Sequence, residues 1–300
     1  MKLSRDKVIL LISLFSLYFI WGSTYFLIKI GLESFPPVML TGLRFITAGL
    51  ILTIVLLFKR APRPPKSEIR NAALVGIMLL AAGNGSVTLA EHFQVPSGLT
   101  AVMVATVPLF TLSVGFFYGH KAARIEWAGV ALGLFGIIIL NSGGHLGNNP
   151  WGSIIILFGS LCWAIGTNWG ASKPLPEGLM AGAIEMVTAG LVLLIISQCL
   201  GERVQGQPTI KSLSAMAYLI IFGSVVTIVA YMYLIRHTSQ ALATSYAYVN
   251  PLVAVFIGTM FGHESLKFNE FCGLIVIITA VLLVTAGKRW VSGAENKGGN

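Results

Sequence analysis

Apolar residues in this chain come in long unbroken runs, not in the alternating or one-sided patterns of a water-soluble fold. Ten runs can be marked, over residues 8–30, 37–58, 71–90, 97–118, 125–141, 151–171, 178–200, 213–235, 240–261 and 268–287. Each is near the ~20 residues that carry a helix across a hydrocarbon core. Their continuity selects helices over barrel strands, in which apolar and polar residues alternate. The pattern predicts an all-α integral membrane protein with ten transmembrane helices. Most links are short, which leaves no room for a soluble domain.

The polar interruptions repeat. Val107-Pro108-Leu109-Phe110 returns as Asn250-Pro251-Leu252-Val253, and Gly119-His120 as Gly262-His263. Glu126-Trp127-Ala128-Gly129 matches Glu270-Phe271-Cys272-Gly273, Thr47-Ala48-Gly49-Leu50 matches Thr188-Ala189-Gly190-Leu191, and Trp21 matches Trp163. All offsets lie between 141 and 144 residues. With five spans per half, an odd number, the second half enters the membrane from the opposite side. The reading is two inverted five-helix repeats, over 8–141 and 151–287, joined by residues 142–150 and followed by a polar tail, 288–300. That construction belongs to secondary transporters, whose site lies between the halves.

Composition agrees. The 300 residues are 55% hydrophobic and 10% charged, with mean hydropathy +0.82, against about 25% charge in a soluble domain. The net charge of +9 invites a nucleic-acid partner, but its placement argues for a bilayer. If the amino terminus is cytoplasmic, fifteen Lys and Arg fall on cytoplasmic tails and loops and three, Arg203, Lys211 and Lys267, on the other side. This positive-inside bias puts both termini in the cytoplasm. The basic first span runs on through Trp21 to Lys29 without a small-residue cleavage site, so it reads as a retained helix. Cys162, Cys199 and Cys272 lie in apolar spans, as packing residues. No phosphate-binding loop, metal-ligand spacing or cofactor motif is present, and no His-Glu-x-x-His or paired acids point to an enzyme.

The ordered set of motifs from Val95 to Leu140, and again from Ser239 to Val284, resembles the EamA domain of the drug/metabolite transporter superfamily. Trp21-Gly22-Ser23-Thr24 looks like that family's first helix. Thr244-Ser245-Tyr246-Ala247-Tyr248-Val249-Asn250-Pro251 is similar to its bacterial YedA-like branch. The resemblance covers about residues 8–287. It implies alternating access in a bacterial inner membrane and export of small metabolites or drugs. The acid usual after the fourth-helix glycine is Lys121 here, whereas Glu264 keeps it in the second half.

Several residues are candidates for the transport site. Pro108 and Pro251 lie near mid-span, where each removes a helix hydrogen bond and displaces the carbonyl of Val104 or Ala247. This leaves open a plain kink or a bend facing a cavity. Uncharged polar and aromatic residues at depth, Trp21, Ser23, Thr24, Asn84, Trp163, Asn168, Tyr231, Tyr246, Tyr248 and Asn250, are candidates for substrate binding; Tyr25, Ser86, Thr167 and Tyr233 are further polar residues at this depth. Trp127, Trp151 and Trp290 fit an interfacial belt. Helices one, three, four, six, eight and nine are expected to enclose the pathway. Arg44 and Glu185, at repeat-equivalent depths, and Glu91 with His92 at a span end, are candidates for coupling or gating. For each the alternative is structural pairing or interfacial solvation. Gly129, Gly133 and Gly136 read as a packing or dimer seam. The functional reading is a secondary transporter of small molecules, with proton coupling open and a passive facilitator or channel as the alternative.

Overall fold

The structure, a computed structural model, describes residues 5–119, 122–142, 150–238, 240–243 and 245–295. Lys2, His120, Lys121, His145 with most of the 142–150 connection, Thr244, Ser239, Lys297 and the side chain of Trp290 lie outside what is described.

The described residues form ten apolar helices: α1 Arg5–Gly31, α2 Pro37–Phe58, α3 Lys66–His92, α4 Ser97–Phe117, α5 Arg124–Asn141, α6 Pro150–Ser172, α7 Leu179–Cys199, α8 Ile210–His237, α9 Tyr246–Gly262 and α10 Phe268–Glu295. All but α9, with its 17 residues, hold at least 18 residues apolar enough to cross a membrane. The protein is an all-α membrane protein of two inverted repeats, α1–α5 and α6–α10. Two boundaries differ from expectation. The run from 240 splits into a short helix, Gln240–Ala243, and α9. Beyond Trp290, where polar and Gly-rich composition reads as an unstructured tail, α10 continues to Glu295.

The repeat is visible in packing as a pseudo-two-fold relation. On α2, a Cβ added to Gly49 would lie 2.7 Å from the Val187 nitrogen of α7. On α7, a Cβ added to Gly190 would strike the Ile46 nitrogen and lie 2.7 Å from its Cα. Gly49 and Gly190 are repeat mates, and so are Ile46 and Val187. The α5–α10 seam behaves alike. A Cβ added to Gly129 would lie 2.8 Å from Val284 Cγ2, and one added to its mate Gly273 2.9 Å from Leu140 Cδ1. In these two pairs each helix packs on its own repeat mate with reciprocal contacts, as in a symmetric interface. The small residues let the backbones close up. Gly129, Gly133 and Gly136 thus serve an internal seam with α10 and Leu109 of α4.

The Glu-x-x-Gly motifs share a second job. Glu126 Oε2 accepts from the Ala123 N–H at 2.6 Å, and Glu270 Oε2 from the Lys267 N–H at 2.8 Å. Each acid satisfies an orphan donor at the start of its helix.

Three helices contain π-helical stretches: Ser16–Ile20 in α1, Ile77–Asn84 in α3 and Ile221–Val226 in α8. The last two are repeat mates. A π stretch breaks the regular ladder and leaves carbonyls open to other donors, and such stretches concentrate at functional sites. α4 is broken differently. It stops at Val104 and resumes at Val107, so Pro108 sits in the first turn of the second piece. There its missing N–H costs nothing. Pro251 lies inside continuous α9. The matched prolines therefore act in different local settings, a break in one half and an interior proline in the other.

Candidate functional site

A cavity of about 100 Å³ lies between the halves, walled by α1, α3 and α4 from the first and α6 and α9 from the second. Trp21, Tyr25, Trp163 and Tyr246 give it aromatic walls; Thr24, Asn84, Ser86, Ser160 and Asn250 supply polar groups. Among the described residues, no charged side chain lines it. Pro108 and Pro251 border it, together with Val104 and Ala247, the residues four positions before them.

The wall follows from helical phase. Trp21, Thr24, Tyr25 and Ile28 share one face of α1, and Tyr246, Ala247, Asn250 and Pro251 one face of α9. Residues off those faces go elsewhere. Ser23 leaves the cavity and meets the Tyr218 hydroxyl of α8 at 2.9 Å. Tyr248, about 200° round the helix from Tyr246, packs into the core around α4, α5 and α10. Asn168 donates to the Thr111 carbonyl at 3.0 Å and the Ala164 carbonyl at 2.9 Å, tying α6 to α4. Tyr231 stands behind the wall, edge-on to Tyr246 with ring centres 5.9 Å apart. Thr167 is exposed, and Tyr233 stacks on His237. α8 therefore backs the cavity and lines none of it, against expectation.

Asn250 is on the wall but partly committed. With its amide oriented to donate, it bonds the Leu17 carbonyl at 2.8 Å and the Tyr18 carbonyl at 3.2 Å. Both belong to the π stretch of α1, which leaves such acceptors open. Ser160 is uncommitted: 3% exposed, its hydroxyl has no partner. Its place three residues before Trp163, on the same helix face, is the signal by which the sequence could have named it.

The charged candidates lie away from the cavity. Arg44 is 3% exposed; its Nε donates to Ser224 Oγ and its Nη2 to the Gly223 carbonyl, both at 2.9 Å. Those acceptors lie in the π stretch of α8, and they offset part of the cost of a buried guanidinium. Glu185 is half-buried on α7, within electrostatic range of Tyr231, and forms no ion pair with Arg44. Arg44→Gln is expected to lower the thermal stability of purified protein by about 2 kcal/mol, the scale of lost charged hydrogen bonds. It should reduce transport of every substrate alike. A changed substrate preference at normal stability would count against this structural role.

Glu91 is not the solvated partner of His92 that a span end allows. His92 is exposed, but Glu91 is 5% exposed and neither carboxylate oxygen has a hydrogen-bond partner. Beside it is a latch. Glu264, just after α9, accepts from Lys29 Nζ at 2.8 Å, from the Ser97 N–H and Oγ at 3.0 Å, and from the Gly98 N–H at 3.1 Å. One carboxylate thus holds the end of α1 and the start of α4. Burial pushes the Glu264 carboxyl up, but Lys29 and the Gly98 and Ser97 N–H groups more than reverse this. The carboxyl is held below its usual range.

Comparison with known proteins decides the family. The model of the EamA-like transporter family matches residues 8–142 and again 150–286. The chain belongs to that family. It is 56% identical over 276 residues to the uncharacterized inner membrane transporter YedA of Escherichia coli K12, covering 92% of this chain and 90% of that one. It is 25% identical over 285 residues to a probable amino-acid metabolite efflux pump of the same organism, covering 90% and 93%. A solved crystal structure shares the fold at TM-score 0.64 and 16% identity, over 96% of this chain and 99% of that one. As in the rest of the family, a transport role accounts for the chain, and its substrate and the bilayer are the partners this role requires.

Proposed function

We propose that the protein is a secondary transporter that exports small, semi-polar molecules across a bacterial inner membrane by alternating access. The observation that carries the reading is the cavity, which draws its wall from both halves at the level of Pro108 and Pro251. Aromatic faces with hydroxyls and amides, and no charge, suit a ligand with a flat apolar body and one or two hydrogen-bonding groups. Trp21, Thr24, Asn84, Trp163, Tyr246 and Asn250 are the proposed contacts, with Ser160 added. At about 100 Å³ the cavity is smaller than the ~300–1,000 Å³ that enclose drug-sized ligands. Loading one requires helices to part. The α4 break and Pro251 are the proposed places where they bend.

The inner-membrane placement and export direction rest on family relatives, one named an inner membrane transporter and one a probable efflux pump. Cytoplasmic termini are supported by the basic cluster at the junction of α2 and α3, with Lys59, Arg60 and Arg63 in the link and Lys66 and Arg70 in the first turns of α3. Counterflow in proteoliposomes tests the mechanism. Uptake of labelled substrate should rise several-fold when the lumen is preloaded with unlabelled substrate. A pore gives no such stimulation, and that result would leave passive flux as the function.

A further inference from the structure

Glu91 is a buried carboxylate at the end of α3, on the face of the bundle opposite the chain termini. Its oxygens meet no donor, and an ionised carboxylate without one is costly in an apolar setting. The titratable groups facing it are Tyr25 and Lys29 of α1 and Glu264 of the α9–α10 connection. Arg44 of α2 bears on the same Tyr25. His92, next on its own helix, is exposed. α4 and α6, also packed against this end of α3, carry no charged residue. Tyr25 lines the cavity and is within electrostatic range of Glu91.

We propose that Glu91 is a proton-binding site, loaded when the Lys29–Glu264 latch closes this face and emptied when the latch opens. The inference rests on the alternating-access reading. In the latched arrangement Lys29 is committed to Glu264, and Glu91 is left without a counter-charge. The proton it carries removes the cost of that isolation. When the latch parts, water reaches Glu91, the proton leaves to it, and the freed Lys29 ammonium faces the carboxylate that remains. Lys29 thus has two alternative seats, the arrangement a two-state switch requires. Glu264 does not supply the pH response itself. It stays ionised across neutral and mildly acidic pH because its donors hold it below the usual carboxylate range. The latch is also one-sided. By the offset that matches Trp21 to Trp163, the repeat mate of Lys29 is Ala171, and by that of the Gly-His motifs the mate of Glu264 is Lys121.

By linkage, one proton bound only in the latched state changes the latched-to-open ratio by up to about tenfold per pH unit. Acid therefore favours the latched face. The test places spin labels at Glu33→Cys and Ser265→Cys, beside the two ends of the latch, with Cys162, Cys199 and Cys272 replaced by Ala. Distances are read in lipid nanodiscs between pH 5 and 8. The short distance should dominate at pH 5, and a longer one should grow as pH rises. Glu91→Gln should keep the short distance at every pH. Glu91→Leu, which fills the same space with an apolar chain, should do the same and guards against a Gln variant that fails to fold. Lys29→Met should show the longer distance throughout. A pH response that survives either Glu91 variant overturns the proposal. Opening in Lys29→Met, with no pH response in the parent protein, overturns the proton site alone. A distance fixed in every variant overturns the site and alternating access together.

Discussion

Gly190→Ala is expected to cost most of the folded protein. The added carbon would strike the backbone nitrogen of Ile46 and sit 2.7 Å from its Cα. Backbone cannot swing aside as a flexible side chain can, so α2 and α7 must separate. Overpacking of this kind costs about 1–3 kcal/mol in soluble cores, and two main chains in collision place it at the upper end. The repeat mate, Gly49→Ala, meets the Val187 nitrogen at 2.7 Å and should behave alike. Gly85→Ala is the control, because its nearest neighbour, Leu193 Cδ2, is at an ordinary 3.6 Å. Size-exclusion profiles and melting temperatures in one detergent measure all three. Equal profiles for Gly190→Ala and Gly85→Ala would show that the α2–α7 seam does not hold the halves together.

Ser160→Phe should do the opposite: preserve the fold and stop transport. The side chain it replaces borders the cavity and has no hydrogen-bond partner, so no bond is lost. The new ring has a void of about 100 Å³ to enter rather than a filled core. It would consume much of that space, and transport is expected to fall at least about tenfold, or ~1.4 kcal/mol at the rate-limiting step. Ser160→Ala should leave stability near that of the parent, since an unsatisfied buried hydroxyl stabilises nothing. Normal transport by a well-folded Ser160→Phe protein would remove the cavity from the pathway.

Helix number and order could be read directly from the sequence because lipid imposes them: a span must be long, apolar and internally hydrogen-bonded. The repeat was legible for the same residues that later form the seams, but the reciprocity of Gly49 with Gly190 needs three dimensions. The π stretches left no mark in residue type. They decide where Arg44 and Asn250 find acceptors, so those partnerships could not be foreseen. Depth was a sound guide to the cavity for Trp21, Thr24, Asn84, Trp163, Tyr246 and Asn250. It failed for Ser23, Asn168 and Tyr248 because depth ignores helical phase. Tyr246 and Tyr248 cannot share a face, and a count of 100° per residue separates them. The sequence left Glu91 open between a coupling role and interfacial solvation because a span end is normally wet; its burial comes from the helices packed on this end of α3, chiefly α6 and α2.

The two seams also bear on how the chain assembles. Each joins a helix to its own repeat mate, so the α6–α10 half of one molecule offers a neighbour's α1–α5 half the same two glycine-lined faces it offers its own. Newly inserted chains in a crowded membrane could therefore trade halves. The brevity of the connection at residues 142–150 works against that. A short tether keeps the correct partner at an effective concentration in the millimolar range, far above that of any competing copy. The connection thus contributes to fidelity by its length, whatever its sequence, and lengthening it is the change that would let entangled dimers form.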